Sequence, residues 1–479
     1  MAGDSDRNIL VFDVGSSALK ATVFDASGHI VDRAEASYPH AAGSTRQSPW
    51  DWWGAAVAAA RQLDGRPITA ISLTGTMENL IPVDASGEPL GEALLYFDPC
   101  GEPFVAEAAA ALADAGAARR CGNAPDALMT AFKLAWLRRH EPKRFAAARW
   151  FLPGSKDYLA LKLTGEVVTD PTCAATTGLM DIASRDWSNP LRAIFGIERR
   201  RLPHIRPATD MVGHLTAAAA EELRLPPGLP VVNGCGDGGA TTMGGGAEHP
   251  ADVSVYLGTS GWAAHVVRSA ALAEESRFYR LPHPVGEGII EIAPILSAGA
   301  AAAWARQVLG VDVDEAERLA QVADVAPGKV LFLPYLSGER SPFLDLDIRG
   351  GFLGLSPSDG PAQLYYAALE GVAMAIEANL RAMGVSGRKV SLVGGGALSK
   401  IWLQIIADVT GAPVTTSADP VAATSFGAFR IAQRALRLPV SGTSFSVAAT
   451  PRADRVPRAA AMRERFAQAT GFARQLRRP

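Results

Sequence analysis

Ile9-Leu-Val-Phe-Asp-Val-Gly-Ser-Ser-Ala-Leu-Lys-Ala-Thr-Val-Phe-Asp25, ILVFDVGSSALKATVFD, is an apolar run ending in a carboxylate, a glycine and two hydroxyls, followed by a second apolar run. Two apolar runs around a short turn predict a buried hairpin. The turn has the parts of a phosphate-binding loop. Gly15 lets the backbone approach a ligand, Ser16 and Ser17 supply hydroxyl and amide donors, and Lys20 can reach a phosphate as a point charge. Asp13 repels phosphate unless Mg²⁺ or its waters lie between them. A plain polar turn is the simpler account of this stretch read alone.

Working outward, strand-like and helix-like runs alternate to the end of the chain, the pattern of an α/β class. Strands are expected over 9–12, 18–24 and 30–38, with the turn signal Asp25-Ala-Ser-Gly28 between the last two. Ser48-Pro49-Trp50-Asp51 predicts a helix with an N-cap serine and a proline in its first turn, running to about Leu63. A strand from Ile68 to Leu73 ends at Gly75. Leu225-Pro-Pro-Gly-Leu-Pro230 breaks the pattern, which predicts domains over 1–228 and 229–479. Beyond it, Asp252-Val-Ser-Val-Tyr-Leu-Gly-Thr-Ser-Gly261 repeats the opening device and suggests a duplicated domain.

Composition narrows the function. Of 479 residues 48% are apolar and 20% charged, with a net charge of -3, which gives no reason to expect nucleic acid. The four cysteines form no CxxC or Cys/His cluster, so a reducing cytoplasm fits better than a disulfide framework or a zinc site. No signal peptide or run of about 18 apolar residues suggests export or a membrane.

Several motifs compete for the chemistry. Ser17-x-x-Lys20 has the spacing of a penicillin-binding nucleophile but lacks its partner motifs. Gly234-Cys-Gly-Asp-Gly-Gly239 is a literal G-x-G-x-x-G, yet its Asp237 would face a pyrophosphate. The other reading makes Asp237 a general base, held against a hydroxyl that attacks phosphorus. No G-x-x-x-x-G-K-[ST] is present, which rules out a P-loop ATPase. Glycine turns also follow strands at Leu257-Gly-Thr-Ser-Gly261 and Gly394-Gly-Gly-Ala397. Each taken singly reads as a structural turn; four of them with two acids have a joint explanation in nucleotide binding.

Together these residues resemble the FGGY carbohydrate kinases, ATP-dependent sugar kinases of the actin-like ATPase superfamily. The resemblance also covers Trp50-Asp-Trp-Trp53, Met77, Lys156-Asp-Tyr-Leu159, Thr164-Gly-Glu166, Phe332 to Pro342 and Leu369-Glu-Gly371. It implies two ribonuclease-H-like domains with a cleft between them, sugar mainly on the first and ATP mainly on the second. Asp237 matches the catalytic base and Asp13 the acid that handles Mg²⁺, with Asp237 as a second candidate metal ligand. Ser16, Ser17, Lys20, Gly258, Thr259 and Ser260 match phosphate contacts, Gly395, Gly396 and Ala397 the adenosine site, and Gly299 the nucleotide cleft. Met77, Glu78, Asp98 and Asp237 are the candidate sugar contacts. The expected partner is a small sugar or polyol, with no nucleic acid or membrane, and a homodimer is compatible with the resemblance.

Specificity is where the resemblance thins. Xylulokinases usually carry Gln-Met-His-Gly where this chain has Thr76-Met-Glu-Asn79, and Trp-Asn-Asp-x-Arg where it has Tyr96-Phe-Asp-Pro-Cys100. Gly238 after the catalytic Asp is closer to the gluconokinase branch. Glu78 without the arginine sets a carboxylate near a gluconate carboxylate; two like charges at about 4 Å cost roughly 1 kcal/mol in water and several times that in a cleft. A neutral ketose such as xylulose, or a polyol, is therefore expected, with gluconate second. Glu78 as a solvated loop residue or the partner of a nearby arginine is the competing reading. An actin- or Hsp70-like ATPase without a sugar substrate is the rival class. The basic runs Arg199-Arg-Arg201 and Arg477-Arg478 read as solvated surface.

Overall fold

The opening stretch forms the predicted hairpin: β1 (Asn8–Val14) and β2 (Ala18–Phe24) pair antiparallel, with Asp13 opposite Lys20. This computed structural model describes residues 8–39, 43–63, 65–269, 276–442 and 444–476, so Arg477-Arg478 lies outside the described residues. β3 (Ile30–Ser37) pairs antiparallel with β2. Helix α1 (Pro49–Gln62) buries Trp52, Ala56 and Ala59; Ser48 occupies its N-cap position, but its side chain makes no capping hydrogen bond.

β4 (Ile68–Gly75) runs parallel to β1, setting Thr74 level with Asp13. β5 (Met211–His214) and β6 (Pro230–Gly236) complete a six-stranded sheet of order β5-β6-β4-β1-β2-β3. β6 is parallel to β4 and sets Cys235 level with Thr74. The expected division after residue 228 is thereby corrected: it falls before a strand of the first sheet. Leu225 to Pro230 is the turn from a short helix, Ala217–Leu223, into that strand.

The second sheet comprises β7 (Val253–Leu257), β8 (Gly261–Val267), β9 (Tyr279–Pro282), β10 (Ile289–Ile295), β11 (Val390–Val393), β12 (Val414–Ser417) and β13 (Phe445–Ala449), in the order β9-β10-β8-β7-β11-β12-β13. Both sheets contain the same series: three parallel strands (β6-β4-β1 and β12-β11-β7), an antiparallel hairpin partner (β2 and β8) and a further antiparallel strand (β3 and β10). The sequence echo at Leu257–Gly261 is therefore a structural repeat, as a ribonuclease-H-like pair requires.

The near-continuous apolar reading of β1 follows from burial on both faces. Leu10, Phe12 and Val14 share a core with Trp52 of α1 and Leu159 of α2 (Ser155–Thr164). Ile9 and Val11 share another with Ala240 and Met243 of α3 (Asp237–Gly244) and with Ala428, Phe429 and Ile431 of a helix from far along the chain. Helices α4 (Gly299–Leu309), α5 (Pro361–Ala382) and α6 (Lys400–Thr410) supply residues to the core of the second sheet. The distant helix is α7 (Ala423–Ala435). It crosses α3 at glycines: a Cβ on Gly244 would lie 1.8 Å from the Ala423 carbonyl oxygen, and one on Gly427 1.9 Å from that of Ala240.

Candidate active site

Parallel strands stand about 4.8 Å apart, so β6, two strands from β1, delivers the chain roughly 10 Å from Asp13. Asp237 is the first residue of α3 there. Burial pushes Asp13 up to about 6, against the pull of Lys20, while Glu35 adds to the rise. Burial pushes Asp237 up to about 7, with the Asp13 charge adding to the rise and the Gly238 amide, 2.8 Å from Oδ1, opposing it. The two acids thus sense one another, and each gives up its proton less readily than an exposed carboxylate.

The β1–β2 turn is held from behind. The Tyr38 hydroxyl donates to the Gly15 carbonyl, and Gln47 Nε2 donates to the Ser16 carbonyl at 2.6 Å. The side chains of Ser16, Ser17 and Lys20 are exposed. Two tyrosines not foreseen in the sequence complete the surroundings. Tyr96 and Tyr256 both titrate above their ordinary value, first through burial and then through the nearby Asp237 charge. Tyr256 belongs to β7 of the second sheet, and its ring stacks on Trp262 with centroids 4.3 Å apart. Acids from one sheet and an aromatic wall from the other therefore face a common cleft.

After Tyr256 comes the second glycine-hydroxyl turn. Gly258 N donates to the Ser260 carbonyl at 3.0 Å, while Gly299 N and Ala300 N donate to the carbonyls of Gly258 and Thr259, each at 2.8 Å. The start of α4 is therefore built against this turn, and Thr259 and Ser260 remain exposed. β11, parallel to β7, brings Gly394 to Ala397 to the same edge. Gly395 is exposed with open space where a side chain would be, Gly396 abuts Leu257, and Ala397 is buried.

The loop after β4 is fixed by Asn79, whose Nδ2 donates to the Thr76 carbonyl at 3.0 Å and whose Oδ1 accepts the Tyr96 amide at 3.0 Å. Met77 lies against Gly236 and Gly238, on either side of Asp237. Glu78 has φ 61°, a left-handed conformation uncommon for a side chain of this size. Burial lifts Glu78 to about 7; Lys133 and Arg340 pull it down, Asp126 pushes it up, and the Tyr279 hydroxyl donates to it at 3.4 Å. Lys133 also donates to the Glu78 carbonyl at 2.8 Å, and Arg340 pairs with Asp126. The arginine missing from Tyr96–Cys100 is thus matched by one more than two hundred residues away in sequence.

Asp98 has a different place from the one expected. Its Oδ1 accepts the Cys100 amide at 2.9 Å and its Oδ2 the Thr45 hydroxyl at 2.8 Å, with Arg46 at 3.8 Å. It is 3% exposed and caps the short turn Pro99–Gly101, so both its oxygens tie chain segments together. Asp157, Asp170 and Cys173 have the spacing of a metal site. Lys156 stands 2.8 Å from Asp157 and 3.3 Å from Asp170 and supplies the positive charge itself. A cavity of about 670 Å³ near Phe24, Arg33, Asp419 and Phe426 holds none of these residues. Among the described residues no helix is long and apolar enough to cross a membrane.

Two glycine-hydroxyl turns, one at the strand ends of each duplicated sheet, and two acids that sense one another make up a site of the kind a sugar kinase needs. The chain belongs to the FGGY family of carbohydrate kinases: the model of the family's N-terminal domain matches residues 8–244 and that of its C-terminal domain 279–436. It is an ATP-dependent sugar phosphotransferase, and nothing favours the rival ATPase without a sugar. A xylulose kinase of Klebsiella pneumoniae is 33% identical over 439 residues, 88% of this chain and 89% of that one. A gluconokinase of Bacillus subtilis is 26% identical over 424 residues, 84% and 82% of the two chains. The crystal structure of a xyloylose kinase from Brucella ovis superposes with a TM-score of 0.88 at 30% identity, covering 98% of this chain and 99% of the other.

Proposed function

We propose that the enzyme transfers the γ-phosphate of ATP to a hydroxyl of a neutral ketose or polyol, with xylulose the leading substrate and gluconate the second. The observation carrying this reading is the half-buried pair Asp13 and Asp237 at strand ends of the first sheet, close enough for the charge of Asp13 to lift Asp237. In this reading Asp237 takes the proton of the attacking hydroxyl as its oxygen closes on phosphorus; a base near 7 suits that task at neutral pH. The backbone and hydroxyls of Ser16, Ser17 and Gly258–Ser260 donate to phosphate oxygens, with Lys20 adding charge. Gly299, Gly395, Gly396 and Ala397 line the nucleotide. The donor set fits Mg²⁺, since two hard carboxylates are held here against the cost of burial. Asp13, with Asp237, would hold the ion, which supplies positive charge against the phosphates.

The charges around the sugar loop support a neutral substrate. Glu78 and Asp126 are set against Lys133 and Arg340, two of each sign, leaving no surplus cation for an aldonate carboxylate. Xylulose kinases among the relatives agree with this, and the gluconokinase keeps gluconate second. A coupled ADP-release assay over ketoses, polyols and aldonates tests the reading. Asp237→Asn is expected to keep ATP binding and lose about 10²–10⁴-fold in kcat. Near-normal kcat in that variant refutes the base, and fastest turnover on gluconate refutes the charge argument.

A further inference from the structure

Lys156-Asp157 takes no part in the sugar or nucleotide contacts above, yet Lys156, Asp157, Asp170, Thr172 and Asn233 are all 0% exposed. Ions this deep cost several kcal/mol each unless they are paired and hydrogen-bonded. Here the network is extensive. Lys156 Nζ lies 2.8 Å from Asp157 Oδ1, 3.3 Å from Asp170 Oδ1 and 3.2 Å from Asn233 Oδ1. Asp157 Oδ2 accepts the Gly154 amide at 2.9 Å and the Thr169 hydroxyl at 2.8 Å. Asp170 Oδ2 accepts both the amide of Thr172, at 2.8 Å, and its hydroxyl, at 2.5 Å.

Having donated its proton to Asp170, the Thr172 oxygen keeps lone pairs for a donor of its own. It accepts the amide of Gly236 at 2.8 Å. Gly236 immediately precedes Asp237, and it has no room for a side chain: a Cβ there would meet Met77 Sδ at 2.0 Å and Thr172 Oγ1 at 3.1 Å. The backbone entering the base is therefore gripped between Thr172 and the sugar-loop methionine.

We propose that Thr172 is a positioning residue for phosphoryl transfer: braced by Asp170 and Lys156, its hydroxyl fixes the Gly236 amide and with it the point from which Asp237 enters the cleft. This rests on Asp237 as the base. A misplacement of about 1 Å at a reacting group costs roughly 100-fold in rate, so a tie at the adjacent peptide acts on kcat.

Thr172→Val keeps the side-chain shape and removes the hydroxyl. Its kcat is expected to fall about 10- to 100-fold with both KM values within about twofold, and Thr172→Ser to recover to within about threefold of wild type. Hydrogen exchange at the Gly236 amide should quicken about tenfold or more in Thr172→Val, with amides of the second sheet unchanged. If Thr172→Val does not fold, Thr172→Ser against Thr172→Ala, which differ by the hydroxyl alone, makes the same comparison. Unchanged kcat, KM values rising in step with the loss, or unchanged Gly236 exchange overturns the proposal. Asp237→Asn run in parallel separates it from the base reading. Near-normal turnover there removes both, whereas an inactive Asp237→Asn beside a fully active Thr172→Val removes this inference alone.

Discussion

Gly427→Ala tests whether the α3–α7 crossing sets the position of the base. The added methyl would stand 1.9 Å from the Ala240 carbonyl oxygen and 3.0 Å from Gly244 N, both backbone atoms of α3. Ordinary contact needs about 3.4 Å, so the helices must part by about 1.5 Å; no flexible side chain can give way instead. Overpacking of this kind costs about 1–3 kcal/mol, and opposed backbones put the expected loss near 3 kcal/mol. α3 begins with Asp237, so the same shift moves the base by an amount worth roughly 100-fold in kcat. Thermal unfolding and steady-state kinetics measure the two effects separately. A variant that folds with wild-type stability, or loses stability while kcat stays within threefold, refutes the reasoning.

Three further outcomes are expected. The rate kcat/KM should rise with pH through about 7, because Asp237 must be ionised to accept a proton, and fall about tenfold per unit below it; repulsion from Asp13 spreads the ionisation of the pair over two steps, near 6 and near 7, and a flat profile from pH 5 to 8 refutes the assignment. Arg340→Ala should raise the sugar KM more than the ATP KM, by about tenfold, since it leaves Glu78 and Asp126 facing Lys133 alone; equal effects on both substrates would place Arg340 elsewhere in the cycle. Glu339, 1% exposed, is lifted by burial from an ordinary 4.5 to about 7, so its ionisation is harder folded than unfolded and stability drains away as pH rises from 4.5 through 7. Glu339→Gln keeps the acceptor for the Leu296 and Arg340 amides and should gain up to about 3 kcal/mol over wild type at pH 8 in urea unfolding, with no gain at pH 4; equal stability at both pH values refutes it.

What the sequence made legible was local. β1, β2 and α1 fall where apolar runs and turn residues place them, and Asp13 and Asp237 are visible because each stands beside a glycine where an apolar strand gives out. The boundary failed because Pro-Pro-Gly punctuates a turn within a domain as readily as a linker between two. Motif position offers Asp98 as a sugar contact but does not show where its oxygens point, which here is to the Cys100 amide and the Thr45 hydroxyl. Arg340, Lys133, Tyr96 and Tyr256 went unseen for another reason: strand order and the meeting of two sheets bring them to the cleft, and no local periodicity encodes either.

The packing of α7 on the first sheet also has a consequence in time. Ile9, Val11, Phe24, Ala70 and Val232 share their core with Phe429 and Ile431, residues made almost two hundred positions after β6 ends. At about 5–20 residues per second, that face of the newborn sheet waits roughly 10–40 s for its cover. A chain stalled or cleaved before Ala423 would present an apolar surface covered only in part, by Ala240 and Met243 of α3, so nascent-chain binders in the cell would find their target on the first sheet, although it is completed well before the second.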